Sequence, residues 1–329
     1  MEKLLASLGL LVPMAIQPLY AQENFSFDFG GRLQLDYNHS ELNGVPDETQ
    51  WVARRLWLEA SGDLGENWEY KWQQRLGEAN GGDQSDAYLK YTGFGPAASI
   101  IIGQQFEPLG LEQRTSSNDL TFSERSSTTE LYNKPRLPGV ALEGVLENQT
   151  FYSLMVAQDV PNYDDLSYSG RLGRFWQPAA DTSYQLALGF MRREMQTNAV
   201  ALMASGVSGP FHAHAEYYQG ERNSSDRSGY FVQAGWVITG EVRAMTPGKV
   251  RRVQPAASPG VFEMALRHSG GDGNYADIEL GRVDAEAWGV AMSWYVTNNL
   301  KLSASYDEGS SNQSNDQGSE SRFRFQYLF

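Results

Sequence analysis

The sequence has no cysteine, which excludes a disulfide framework, a thiolate metal site and a cysteine nucleophile. Basic residues are also scarce, with 26 lysines and arginines against 40 acidic residues, so the basic stripe of a nucleic-acid-binding surface is missing. Beyond residue 21, no apolar run approaches the roughly 18 residues that a membrane-spanning helix requires. These absences exclude a disulfide scaffold and a helical membrane protein, and they disfavour a nucleic-acid partner.

The first 21 residues have the layout of a secretory signal peptide. Lys3 gives a positive start, an apolar run follows from Leu4 to Ile16, and the small residue Ala21 precedes Gln22. An N-terminal anchor helix is the alternative, but the run is short for a membrane span and Pro13 interrupts it. We therefore expect residues 1–21 to be removed on export, which leaves residues 22–329 as a single domain.

Most of the remaining chain alternates between apolar and polar residues with a period of two, the pattern of strands with one apolar face. Phe211, Ala213 and Tyr217, for example, alternate with His212 and His214. About 16 strands of roughly ten residues can be delineated, an even number typical of outer-membrane barrels. Polar, glycine-rich loops are expected between them, among others at 220–228, 270–275 and 308–320.

A soluble sandwich or barrel would also alternate, but two features favour a membrane. Tryptophan and tyrosine recur near the predicted strand ends, as interfacial girdles require. The final residues 322–329 place four aromatic side chains on one face and Arg322, Arg324 and Gln326 on the other. Such a terminal strand, ending in Phe329, resembles the recognition signal of outer-membrane barrel proteins. The prediction is an all-β fold, a transmembrane antiparallel β-barrel in the outer membrane of a Gram-negative bacterium.

Residues 106–138 form a long stretch with neither a helical nor a strand period. Loops longer than about 12–15 residues are uncommon in compact domains and are usually functional or disordered. Because this one interrupts a barrel pattern, we expect it to fold into the barrel and narrow it.

Several segments resemble the phosphate-selective porin O and P family. They are spread in the family's order over most of the mature chain: R-R-L-W-L-E-A-S-G-D-L-G (54–65), D-A-Y-L-K-Y (86–91), G-Q-Q-F-E-P-L-G-L-E (103–112), S-S-N-D-L-T-F-S-E-R (116–125) and Y-F-V-Q-A-G-W-V-I-T-G-E (230–241). The resemblance implies a 16-stranded, homotrimeric porin whose third extracellular loop, here 106–138, folds into the pore.

The resemblance also implies an anion site in the middle of the pore. By motif its members are Arg54, Arg55, Asp86, Ser116, Ser117 and Arg125. Guanidinium groups match the oxygens of phosphate or carboxylate, and hydroxyls add neutral hydrogen bonds. Rings of arginine and lysine are how anion-selective pores are built.

Arg54 and Arg55 pose a geometric problem, because neighbouring residues on a regular strand point to opposite faces. Alternation places Arg55 in the lumen and leaves the direction of Arg54 undecided. An arginine facing lipid at mid-depth would cost about 2–4 kcal/mol. A β-bulge, or a position at the membrane interface, is therefore expected at Arg54.

Two departures from the family pattern weaken the phosphate interpretation. Gln113 stands where the family has a loop lysine, and the family's ladder of arginines has no counterpart beyond Arg322 and Arg324. The residues expected in the lumen mix both signs of charge: Arg32, Arg55, Lys71, Arg75, Lys90, Arg267, Lys301, Arg322 and Arg324 against Asp36, Glu59, Glu69, Asp86, Glu143, Glu216, Glu263 and Asp307. Anion preference, weak or absent selectivity, and cation preference all stay open.

The functional prediction is a porin for passive diffusion of small hydrophilic solutes, with phosphate or other small anions as the solute class. The alternatives are a non-selective diffusion pore and a closed barrel that serves as an enzyme, adhesin or structural protein. A filled apolar interior would favour the closed barrel, and the alternating strands indicate none. The expected partners are solutes, outer-membrane lipids and further copies of the chain.

No catalytic or cofactor-binding motif emerges. Ser126 and its hydroxyl-bearing neighbours lack a G-x-S-x-G context. The His212–His214 pair has a zinc-compatible spacing but no evident third ligand. We therefore expect no enzymatic activity, no metal and no cofactor.

Overall fold

The computed structural model describes residues 25–76, 84–130, 136–159, 165–193, 197–222, 225–256, 258–272, 285–311 and 317–329. The predicted signal peptide, 1–21, lies outside these residues. Helix in the described part is confined to two single turns, α1 (Leu111–Arg114) and α2 (Ser127–Glu130). Neither is long and apolar enough to cross a membrane.

Sixteen strands of the described chain form one closed antiparallel barrel, in which each strand pairs with its neighbours in sequence and the last pairs with the first. The all-β barrel prediction is confirmed. The barrel strands are β1 (Asp28–Leu42), β2 (Val45–Asp63), β3 (Trp68–Leu76), β4 (Gln84–Tyr91), β5 (Ser99–Gln105), β6 (Leu137–Val145), β7 (Thr150–Gln158), β8 (Leu166–Ala179), β9 (Thr182–Arg193), β10 (Thr197–Ser208), β11 (Phe211–Arg222), β12 (Ser225–Val237), β15 (Val261–Asp272), β16 (Ala285–Tyr295), β17 (Leu300–Ser311) and β18 (Gln317–Leu328). A separate small hairpin consists of β13 (Met245–Thr246) and β14 (Lys249–Val250).

The period of two decides which side chains face outward. In β9, Tyr184, Leu186, Leu188 and Phe190 are exposed on the outer surface, and the residues between them are buried. An apolar outer face of this kind suits contact with lipid. Several strands extend further than predicted, since β11 reaches Arg222 and β17 reaches Ser311. Backbone pairing needs no apolar face, so polar hairpins continue beyond the apolar band.

The connections orient the barrel in the membrane. Strand β1 begins and strand β18 ends at the same end of the barrel, where most connections are short, such as 180–181 and 209–210. The long connection from β5 to β6 lies at the opposite end. Outer-membrane barrels have short periplasmic turns and longer extracellular loops. The start of β1 and the end of β18 therefore mark the periplasmic end.

One side of the barrel interior is filled with apolar side chains. Leu109 and Leu111 of the β5–β6 connection pack with inward-facing residues of β7 to β11, including Phe175 and Met203, and with Met245 of the small hairpin. The expectation of an interior without an apolar core is wrong for this side. Many of its inward-facing positions are alanine, methionine or phenylalanine, and the loop supplies the partners that bury them.

The connection from β12 to β15, residues 238–260, is the exception among the periplasmic turns. It carries the hairpin of β13 and β14, and its Arg243 side chain donates a hydrogen bond of 2.9 Å to Glu263 on the inner wall. Arg243 also donates to the Asp119 carbonyl at 2.6 Å. This segment, which we call the periplasmic insert, therefore enters the barrel from the end opposite the long loop and meets that loop inside.

Candidate functional site

The described part of the long loop, 106–130, crosses the interior of the barrel. Most of its residues are buried, and they contact inward-facing side chains around the whole wall. Arg32 of β1 donates to Ser117 at 2.6 Å, and Lys301 of β17 donates to the Leu120 carbonyl at 2.8 Å. On the far side, the Glu112 backbone N–H donates to Glu216 of β11 at 2.6 Å.

Buried carboxylates anchor the first half of the loop to the apolar side. Glu107 forms an ion pair with Arg193 of β9 and accepts a hydrogen bond from Ser167 of β8. The loop backbone also packs directly on β9: a Cβ added at Gly189 would lie 2.2 Å from the Leu109 carbonyl oxygen. The first half of the loop is thus fixed to this side, and a space lined by residues of β1 to β6 is left beside it.

That space is a cavity of about 680 Å³, and its lining is strongly basic. Among the described residues, twelve arginines and lysines line it, against five acidic residues. The basic residues are Arg32, Arg54, Arg55, Lys71, Arg75, Lys90, Arg114, Arg125, Arg136, Arg171, Lys249 and Arg251, and the acidic ones are Glu69, Asp86, Asp119, Glu130 and Glu143. The potential of this passage is therefore opposite in sign to the formal net charge of -14 of the whole chain.

The passage continues toward the periplasm. A second cavity of about 210 Å³ shares Arg32, Trp57 and Gln73 with the first and reaches the terminal residue Phe329. The Arg32 guanidinium lies 4.6 Å from the Trp57 ring centroid. This cation–π pair stands where the two cavities join.

The six residues assigned by motif, Arg54, Arg55, Asp86, Ser116, Ser117 and Arg125, all line the larger cavity. Several of their side chains form hydrogen bonds with other residues of the chain. Arg125 donates to the backbone carbonyls of Glu112, Gln113 and Thr115 at 3.1, 3.3 and 2.7 Å. Asp86 accepts from Arg136 at 2.9 Å. Several of these groups therefore shape the loop as well as face the passage.

A β-bulge resolves the direction of Arg54. Gln34 pairs with Arg55 and the next residue, Leu35, pairs with Ala53, so Arg54 is the extra residue. Both arginines then reach inward to the loop residue Glu124, Arg54 through a 3.0 Å hydrogen bond and Arg55 through bonds of 2.8 and 2.9 Å. Because of the bulge, the Arg54 side chain points into the barrel and not into lipid, so the adjacent residues Arg54 and Arg55 both contact Glu124.

The electrostatics of Glu124 follow from these neighbours. Burial alone would raise the pKa of the Glu124 carboxyl, but the hydrogen bond and charge of Arg55, with Arg324 and Arg54, hold that pKa well below its usual range. Glu124 is therefore ionised at neutral pH. At the other edge of the cavity, burial lowers the pKa of the Arg136 guanidinium, an effect that its Asp86 partner opposes.

Five of the twelve basic lining residues in the described chain are not predicted from the sequence. Arg114 and Arg136 belong to the aperiodic loop, Arg171 lies on β8, and Lys249 and Arg251 come from the periplasmic insert. The insert did leave a signal: residues 239–260 have no strand period and contain K-V-R-R at 249–252. Whether Lys249 and Arg251 reach the lumen depends on how the insert folds, and strand alternation does not predict the fold of the insert.

Three comparisons with known proteins bear on this site. The family model for phosphate-selective porin O and P matches residues 27–201 and 192–329. Porin O of Pseudomonas aeruginosa is 24% identical, over 93% of this chain and 89% of the relative. An anion-selective porin from Comamonas acidovorans has a TM-score of 0.66 at 12% identity, over 93% of this chain and 100% of that one. OprB of Pseudomonas putida has a TM-score of 0.67 at 11% identity, over 92% and 94%. These two structures share the barrel fold.

Proposed function

The chain belongs to the phosphate-selective porin O and P family and is an outer-membrane porin; from that premise we propose that small anions, inorganic phosphate among them, diffuse passively through its basic passage. The observation that carries this proposal is the excess of lining cations over lining carboxylates. A lumen with walls of low dielectric constant concentrates counter-ions of the opposite charge. Small anions would therefore be enriched inside the passage and cations depleted.

Two of the lining carboxylates, Asp86 and Glu143, each lie between two basic side chains. Asp86 lies 2.9 Å from Arg136 and 3.6 Å from Lys71, and Glu143 lies 3.2 Å from Lys90 and 3.3 Å from Arg114. Each carboxylate is thus shared by two cations. The remaining positive charge is available to an anion, in the manner of the charged rings of anion pores.

A weakly selective diffusion pore is the second candidate. The ion pairs themselves favour it, because a guanidinium that already holds a carboxylate offers fewer free N–H groups to a solute. The cavity of about 680 Å³ also has room for solutes much larger than phosphate. Both candidates make the protein a channel, and we further propose that it assembles as a homotrimer, as its family resemblance implies.

Phosphate block separates the two candidates. In a planar bilayer with purified protein in KCl, added phosphate should lower the chloride current in a saturable way, because a multivalent oxyanion resides longer among guanidinium groups. Added KCl of equal ionic strength serves as the control and should only raise the current. If phosphate raises the current as chloride does, the weakly selective pore is the correct interpretation.

A further inference from the structure

The Glu124 carboxylate lies where a bound anion would be expected. Its two oxygens accept hydrogen bonds from Arg54 at 3.0 and 3.3 Å and from Arg55 at 2.9 and 2.8 Å. Arg324 of β18 donates to it as well, and Arg322 Nη1 lies 3.6 Å from Glu124 Oε1. Four guanidinium groups from β2 and β18, the two strands that flank β1, thus converge on one loop carboxylate.

These contacts satisfy the arginine pair in the way that a free oxyanion would. Each of Arg54 and Arg55 presents two N–H groups to the two Glu124 oxygens, the forked geometry with which arginine binds carboxylate or phosphate. The other carboxylate in this cluster, Asp36, is engaged by Arg324 at 2.6 Å and lies 3.6 Å from Arg322. Glu124 therefore fills the oxyanion position of Arg54 and Arg55, the two arginines of the cluster that line the cavity.

We propose that Glu124 is a tethered competitor anion: its carboxylate occupies the oxyanion position of the Arg54–Arg55 pair, and a solute anion binds that pair only by displacing it. A group held on a short tether has an effective concentration of about millimolar or higher. An external anion must compete with that concentration, so it binds more weakly and leaves sooner. This inference rests on the proposed function and sets how tightly the passage holds its solute.

The loop backbone around Glu124 has its own supports, so the side chain can be changed without releasing the loop. Arg267 donates to the Glu124 carbonyl at 3.0 Å, and Arg324 also donates to the Ser123 carbonyl. The Ser123 hydroxyl lies 3.2 Å from that of Ser303 on β17. A neutral, isosteric side chain at position 124 should therefore leave the loop in place.

The test compares phosphate block of the chloride current in the wild type, Glu124→Gln and the matched control Glu130→Gln. Glu130 lines the same cavity in the same loop, so its replacement removes the same charge from the passage. We expect Glu124→Gln to lower the half-blocking phosphate concentration roughly tenfold, because the tethered competitor is gone. Glu130→Gln should lower it much less. Equal shifts in the two variants, or no shift in Glu124→Gln, would overturn the proposal.

Two further variants guard against misfolding and against failure of the premise. Glu124→Asp keeps the charge, so its half-blocking phosphate concentration should equal that of the wild type. The triple variant Glu124→Gln, Arg54→Gln, Arg55→Gln lacks the arginine pair, so it should not show the lowered half-blocking concentration of Glu124→Gln. If the triple variant were blocked at the same low phosphate concentration as Glu124→Gln, phosphate would not bind at the Arg54–Arg55 pair, and the proposal would be refuted. The wild-type zero-current potential is measured alongside. If that potential is not directed by the anion, the proposed function is wrong. If it is directed by the anion but phosphate blocks Glu124→Gln and the wild type at the same concentration, only the proposal for Glu124 is wrong.

Discussion

Replacing Arg243 with alanine is expected to lower the free energy of unfolding by about 3–5 kcal/mol, the usual cost of removing one member of a buried ion pair. Arg243 is buried with Glu263, and it also donates to Thr121 of the loop and to the carbonyls of Asp119 and Arg251. Burial alone would lower the pKa of the Arg243 guanidinium, but the charge of Glu263 raises it, so the group stays charged. One side chain thus joins the wall, the loop and the periplasmic insert.

Urea titration of the refolded protein in lipid vesicles measures this loss. Arg251→Ala is the matched control. Arg251 lies in the same insert, but its side chain is 52% exposed and its ion pair with Asp119 is long, at 3.5 Å. Exposed pairs contribute about 0–1 kcal/mol. If Arg243→Ala were no more destabilising than Arg251→Ala, the contacts of Arg243 would not be what fixes the insert to the wall.

Neutralising the insert cations in the double variant Lys249→Gln, Arg251→Gln should produce the largest change in ion selectivity. Both residues line the cavity but lie outside the barrel strands, so the barrel should form normally. A unit charge acts on an ion 4 Å away with about 1 kcal/mol in water, about fivefold in partitioning. Two lost charges should therefore lower the ratio of anion to cation permeability by about tenfold or more, measured from zero-current potentials.

Glu130→Gln provides the opposite-sign control for that experiment. It removes a carboxylate from the same cavity and should raise the anion-to-cation permeability ratio. If the double variant left selectivity unchanged while Glu130→Gln altered it, the insert would not contribute to the field in the passage.

The barrel could be predicted from the sequence because one property, alternation, is both local and sufficient. Each strand requires an apolar residue at every second position, and this requirement is visible in stretches such as 211–217 and 322–329. The ends of the strands could not be predicted in the same way. Backbone pairing in β17 continues to Ser311 through polar residues, so no change in pattern marks where that hairpin leaves the apolar band.

Only part of the candidate site could be predicted from the sequence, for a related reason. Motif resemblance identified six residues that the fold brings to one cavity. The cost of facing Arg54 toward lipid predicted either a bulge or an interfacial position there, and the fold has the bulge. The apolar filling behind Leu109, the insert around Arg243 and the convergence of arginines on Glu124 all depend on contacts between segments far apart in the chain. Counting charges along strands consequently predicts a balanced lumen, whereas the open passage is basic.

The zero-current potential of the purified wild-type protein in a planar bilayer, under a KCl gradient, tests the central claim most directly. A passage that is lined, within the described chain, by twelve basic and five acidic residues should give a steady conductance with a potential directed by chloride. A steady conductance with a potential near zero, or directed by potassium, would contradict the account.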